Sequence, residues 1–257
     1  MNHSRLTSAQ QDAADPLRHA RDRFALPPNV IYLDGNSLGA LPRATAGRLA
    51  QAVQQEWGHD LIRSWNQHDW VRLPQRVGAR IASLLGARED EIVAADSTSV
   101  NLFKLLAGGL HLPDIRTEPK RRVILSERGN FPTDLYIAQG VNAMLGSRYQ
   151  LVLVEAHEIP AALDDTVAIA MLTQVDYRNG RLHDMAALNR LARAAGTHIL
   201  WDLSHSAGAV PIHLNNSGAD MAVGCGYKYL NGGPGAPAYL YVAKPLQAHF
   251  PNPLSGW

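Results

Sequence analysis

Short apolar runs alternate with helix-length segments between residues 92 and 242, and this alternation constrains the chain more than any other feature. The candidate strands are 92–95, 123–125, 151–154, 167–174, 198–202, 221–224 and 238–242. The candidate helices among them are 100–110, 133–143 and 185–195. Several strands are apolar throughout rather than at every second residue, as happens when both faces of a strand are buried. The expected fold is therefore α/β, a mostly parallel mixed sheet with helices on both faces in three layers. In open sheets of this kind ligands sit beyond the carboxyl ends of the strands. The polar residues that follow each strand are the ones to read for function.

Upstream, Asp15-Pro16 is a helix-start signal for a short helix over 17–24, which Pro27-Pro28 ends. Residues 1–29 read as an arm carrying that helix, and 30–257 as the large domain. Residues 34–39, Asp-Gly-Asn-Ser-Leu-Gly, are turn chemistry. Segment 44–57 reads as an amphipathic helix with Leu49, Val53, Trp57 and Leu61 on one face. Pro74 opens a further helix that ends at Gly86. The formal net charge of +1 leaves no field to gather nucleic acid or an anionic membrane. The single cysteine, Cys225, excludes an internal disulfide and a cysteine-based metal cluster, and a reducing cytoplasm is the simplest compartment. Residues 1–16 lack the apolar core of a signal peptide, and no stretch has the length of a transmembrane helix. Neither a G-x-G-x-x-G after a strand nor a G-x-x-x-x-G-K-[ST] is present.

Three strand-end segments carry chemistry. In Trp201-Asp202-Leu203-Ser204-His205 a carboxylate ends an apolar strand and a histidine follows. Such a carboxylate keeps a ring nitrogen protonated, although D-x-x-H reads equally well as a helix N-cap. In Gly224-Cys225-Gly226-Tyr227-Lys228-Tyr229 a lysine sits in a glycine-rich loop, where an amine is placed to form a Schiff base; a surface lysine is the plain alternative. In Asp96-Ser97-Thr98-Ser99 a hydroxyl-rich turn leads into a helix, where free N–H groups suit a phosphate; capping by Ser99 is the plain alternative. Together they are the three anchors of pyridoxal 5'-phosphate (PLP), in the chain order of fold-type I PLP enzymes, with Asp202 preceding Lys228 by 26 residues.

The sequence resembles the kynureninases. The resemblance rests on Tyr32-Leu33-Asp34-Gly35-Asn36-Ser37-Leu38-Gly39, on Phe131-Pro132-Thr133-Asp134, and on Trp201-Asp202-Leu203-Ser204-His205-Ser206-Ala207-Gly208. It also rests on the lysine loop with Gly232-Gly233-Pro234-Gly235, and on the terminal Gly256-Trp257. It implies PLP-dependent hydrolysis of L-kynurenine, or of 3-hydroxykynurenine, to anthranilate or 3-hydroxyanthranilate and L-alanine, in tryptophan catabolism and NAD biosynthesis.

The resemblance assigns Lys228 to the Schiff base and to proton transfer at Cα, Asp202 to the pyridinium nitrogen and His205 to the ring edge. Phe131 would stack on the ring, with Pro132 and Thr133 beside it and Asp134 near it. Thr173 would face the 3-hydroxyl. Thr98, Ser99, Tyr227 and the neighbouring subunit's Trp257 would hold the phosphate. Tyr227 would also serve as acid–base group on the ketone side, and Trp65 would lie near the substrate's aromatic ring, simple helix packing being the alternative. A homodimer is implied. Kynureninases continue past the position of Trp257 into a small C-terminal domain, expected to be absent here, that holds the arginine for the substrate carboxylate, so the activity of this chain is left open. The alternatives are a class V aminotransferase, a cysteine desulfurase, for which Cys225 is expected to be buried and inert, or a non-catalytic PLP-binding or dimerisation module.

Overall fold

Seven strands form one sheet in a computed structural model that describes residues 7–255. They are β1 (Ile92–Ala94), β2 (Val123–Glu127), β3 (Gln150–Val154), β4 (Val167–Thr173), β5 (His198–Asp202), β6 (Met221–Gly224) and β7 (Tyr239–Val242). Their order across the sheet is β1-β7-β6-β5-β4-β2-β3. Strands β3, β2, β4, β5 and β6 run parallel, and β7 runs antiparallel between β6 and β1. All seven coincide with the apolar runs, with small shifts at their ends.

The apolar runs become strands because two helical layers bury them. Helices α1 (Ser8–Ala14), α2 (Ala44–Gln51), α3 (Leu73–Leu85), α4 (Thr98–Gly109), α5 (Pro132–Met144) and α6 (Met185–Ala194) are the longest. Every residue of β4 is buried. Ala170 and Leu172 join Trp201, with Ala82 and Leu85 of α3 and Leu188 and Ala192 of α6, in one core cluster. Ile169 and Met171 join Leu200, with Leu102, Leu105 and Leu106 of α4 and Ala138 and Val141 of α5, in the other. Adjacent residues of one strand thus feed opposite cores, which requires apolar residues at consecutive positions. The result is the expected α/β/α large domain with a mixed sheet.

The helix signals hold at several ends. Gly86 caps α3 in the left-handed region at φ 61, Pro132 opens α5, and the Asp184 carboxylate accepts from Ala187 N at the start of α6. At the amino terminus the structure corrects the reading. The polar lead-in contains α1, closed by a capping box between Thr7 and Gln10. The helix expected over 17–24 is a 3₁₀ segment, Arg18–Arg23, with no buried residue to support regular packing. Segment 44–57 is α2 followed by a π-helical stretch, Ala52–Trp57. Its apolar face is turned outward, with Leu49, Val53, Trp57 and Leu61 53–65% exposed. What is buried there is Glu56, which accepts from Trp70 Nε1 at 2.9 Å and pairs with Arg48 at 2.7 Å.

Candidate active site

The parallel strands β2, β4, β5 and β6 end on the same edge of the sheet, and the residues that follow them meet there. Thr173 ends β4 in register with Asp202, which ends β5. Asp202 is 3% exposed and accepts a hydrogen bond from Ser204 N at 2.8 Å, so the turn-cap alternative and the site reading describe the same carboxylate. From β2 the chain passes through Asn130 into α5 and delivers Asp134, 1% exposed, against Asp202. Thr173 Oγ1 donates to Asn130 Oδ1 and lies 3.5 Å from Asp134 Oδ2. Burial, and then the charge of Asp202, raise the Asp134 carboxyl well above the usual carboxylate range. Asp134 therefore holds its proton to higher pH than a free carboxyl does.

Lys228 stands opposite this pair, 8% exposed. Its Nζ lies 2.7 Å from His205 Nε2, 5.9 Å from the centre of the Phe131 ring and 5.8 Å from that of Tyr227. Burial, and then the neighbouring lysine charge, lower the His205 pKa, which keeps the imidazole neutral. The lysine can only donate to Nε2, so the ring proton belongs on Nδ1, and Nδ1 is buried without a hydrogen-bond partner. Burial raises the Tyr227 phenol above its ordinary value, so Tyr227 stands as a proton donor at neutral pH.

The lysine loop is held by close backbone approach. Gly39 N donates to Tyr227 O at 2.8 Å, and a Cβ on Gly39 would lie 2.1 Å from Lys228 O. Gly35 and Gly208 both rest on Tyr229. The turn at 34–39, the segment after Asp202 and the lysine loop thus converge, although they are far apart in the chain. The hydroxyl-rich turn joins them through 236–238. Ala95 N donates to Ala238 O, Ala238 N donates to Asp96 O, and Pro237 O lies against Gly226. In that turn Ser97, not Ser99, caps α4, its Oγ accepting from Val100 N at 3.3 Å. Thr98 and Ser99 are thereby left half-buried at the helix start with side chains free of that duty. Asp96 is held at φ 52, a strained conformation for a residue with a side chain.

Pro132 is exposed and Thr133 half-buried in the first turn of α5, both adjoining Asp134. Trp65 packs edge-to-face on Trp70, 6.2 Å between ring centres. Both line a groove of about 1050 Å³ that also includes Gly226, Leu230 and Gly232 but not Lys228. Trp65 therefore shares a groove with the back of the lysine loop. Trp257 lies outside the described residues. Cys225 is 3% exposed and burial raises its thiol, so it lacks the exposed thiolate that desulfuration requires. One residue escaped the sequence reading. Tyr177, four positions past β4, sets its ring 5.2 Å from Phe131 and 6.2 Å from His205. The Asn179-Gly180 turn just after a strand was the available signal.

The chain is similar to known proteins in sequence and in fold. Kynureninases of Burkholderia mallei (strain SAVP1) and Pseudomonas fluorescens are 57% and 52% identical over 96% of this chain, which spans 59% of their length. Among solved structures, a cysteine desulfurase from Thermococcus onnurineus NA1 superposes with a TM-score of 0.76 at 21% identity, covering 93% of this chain and 60% of that one. A C-DES variant with glycine covalently linked to its PLP cofactor does so with a TM-score of 0.76 at 20% identity, covering 92% and 63%. At that identity these two speak for the fold. The profile of the aminotransferase class-V family matches residues 32–256, a span that takes in every strand and every candidate site residue but Trp257, and the chain belongs to that family.

Proposed function

We propose that this chain forms the PLP site of a kynureninase and takes part in hydrolysing L-kynurenine to anthranilate and L-alanine. The observation that carries the reading is the meeting of Lys228, His205, Asp202 and Asp134 beyond the carboxyl ends of adjacent parallel strands. The residues suit the cofactor. An unpaired N–H on His205, a buried carboxyl pair and a lysine with one neutral partner are groups that need a polar aromatic ligand to complete them. Bound there, PLP would act as an electron sink for an amino-acid substrate.

The chain's own residues then divide the work. Asp202 holds a proton on the ring nitrogen, and Asp134 tunes it. Lys228 anchors the cofactor and moves a proton at the substrate Cα. Thr98, Ser99 and Tyr227 would hold the phosphate, Thr173 would face the 3-hydroxyl, and Phe131 would cover one ring face with Pro132 and Thr133 adjoining it in the chain. His205 bounds the ring edge. The Tyr227 phenol, kept protonated by burial, supplies the proton that the ketone side of the substrate needs for attack by water. Trp65 lines the groove behind the lysine loop, and its proposed place near the substrate's aromatic ring rests on the family resemblance. The exposed apolar residues Trp57, Leu61 and Ile62 support a homodimer. No helix of the described residues is long and apolar enough to cross a membrane, and the cytoplasm is the proposed compartment.

The test is the visible absorbance of the 257-residue chain titrated with PLP, with Lys228→Ala beside it, followed by the release of fluorescent anthranilate from L-kynurenine. A visible band lost in Lys228→Ala is the expected result. No band in either protein overturns the reading.

A further inference from the structure

Tyr177 stands at the mouth of the site with no part in the chemistry described so far. It belongs to a short hairpin beyond β4, closed by the bridge between Val175 and Leu182. The strand order places β4 between β2 and β5, so the hairpin rises between Phe131, which follows β2, and His205, which follows β5. The Tyr177 ring meets Phe131 at 79° and lies nearly parallel to His205 at 27°. It therefore bridges two of the rings that flank Lys228, those of Phe131 and His205. Its hydroxyl makes no hydrogen bond to another described residue, and the ring is 39% exposed, so neither core packing nor a structural hydrogen bond explains it.

The hairpin is built to hold that ring still. The buried Asp176 carboxylate accepts from Arg178 N, Arg178 Nε, Arg178 Nη2 and Asn179 Nδ2, and Gly180 takes φ 72 to close the turn. Arg178 lies over the Tyr177 ring at 5.8 Å and presses its guanidinium on Gly129, two residues before Phe131, where a Cβ would meet Nη2 at 1.8 Å. At the hairpin's far side Arg181 and His183 both pair with Glu127, the last residue of β2. The hairpin is thus fastened to the end of β2 by charged pairs to Glu127 on one side of Tyr177 and by the packing of Arg178 on Gly129 on the other.

We infer that Tyr177 is a positioning residue that sets the tilt of the Phe131 and His205 rings against the cofactor ring. The role is that of the aromatic ring and not of its hydroxyl, because the ring makes the contacts and the hydroxyl makes none. This inference rests on the PLP reading. Fixing the plane of the ring fixes the direction in which a substrate bond is broken, so a ring held at one face and one edge is better placed than one held at either alone.

The experiment compares Tyr177→Ala and Tyr177→Phe in the 257-residue chain. With PLP, Tyr177→Ala is expected to weaken binding about tenfold, the reach of two lost aromatic contacts, and to shift the pH at which the visible band changes. Tyr177→Phe is expected to stay within about twofold of the parent, since the ring pair persists. Without PLP, the imidazole ¹H–¹⁵N signals of His205, assigned by their loss in His205→Gln, are expected to move in Tyr177→Ala and to stay in Tyr177→Phe. A normal parent band with Tyr177→Ala matching the parent in affinity, band and His205 signals overturns this inference alone. Equal losses in both variants overturn it in favour of the hydroxyl. A parent chain with no Lys228-dependent band overturns the PLP reading, and this inference falls with it.

Discussion

The two ends of the sheet bury polar groups in different ways. At the amino end Glu91, Arg121 and His198 have their partners, while Asn215 Oδ1 and Arg148 Nε go without one. Glu91 accepts from Arg88 N, Asn215 Nδ2 and Lys244 N. Arg121 donates to Val167 O, Thr197 Oγ1 and Ala195 O. His198 sits between Asp114 and Asp220 at 2.8 and 3.0 Å. At the carboxyl end two acids face each other, and His205 Nδ1, Gln174 Oε1 and Tyr239 Oη are buried with no partner. A buried polar group with its partners supplied is scaffold. One left short costs stability and persists where a ligand completes it. The difference separates stability from function within one sheet, and each substitution below is a way to break it.

The largest expected effect is on the amino end. Glu91→Ala leaves two backbone N–H groups and an amide without their acceptor and is expected to cost about 3 kcal/mol, read in urea or thermal unfolding. Lys228→Ala removes a charge that the fold does not need, and its stability is expected to stay within about 1 kcal/mol of the parent while the PLP band disappears. Equal destabilisation by the two changes would erase the distinction between the ends.

The sequence disclosed this division unevenly. The strands were readable because β4 and β5 place apolar residues at consecutive positions, which only a sheet buried on both faces demands. Asp202 and Lys228 were readable because one ends such a strand and the other comes soon after one. Tyr177 was not, since its importance comes from a hairpin that folds back over two other strand ends. The stripe of Leu49, Val53, Trp57 and Leu61 shows the limit of periodicity. The 3.6-residue repeat identifies an apolar face but carries no information about what that face meets. Likewise Ser97 and Ser99 are equivalent as caps in the sequence, and only the backbone geometry chooses Ser97.

A smaller effect follows from His198 and depends on pH. Its two carboxylate partners outweigh burial and raise the imidazole to about 9 from 6.5. A group whose pKa is raised on folding stabilises fully below its unfolded value and loses that contribution as pH rises through its folded value, so the window runs from 6.5 to about 9. Asp114 is open to solvent, which limits the contribution to about 1–2 kcal/mol. His198→Asn is expected to flatten the unfolding free energy across that window without touching PLP binding. A variant that keeps the slope of the parent would assign it elsewhere.

The smallest effect lies at the carboxyl end, where the substitution stabilises instead of destabilising. The folded-state pKa of Asp134 is raised, so the folded chain holds a proton there that the unfolded chain releases. The cofactor-free protein therefore loses stability as pH climbs from 3.8 toward that raised value. Asp134→Asn keeps the shape and carries no charge, so it escapes the loss. At neutral pH it is expected to be more stable than the parent by about 1 kcal/mol, or about 2–4 °C in melting temperature, and to lose that advantage near pH 4. With PLP the order should reverse, because Asn offers no negative charge to a protonated ring. A substitution that strengthens the empty fold and weakens the filled one is what a ligand-completed site predicts. If Asp134→Asn instead weakens the empty fold at neutral pH, the two acids are a satisfied structural pair, and the carboxyl end is no different in kind from the amino end.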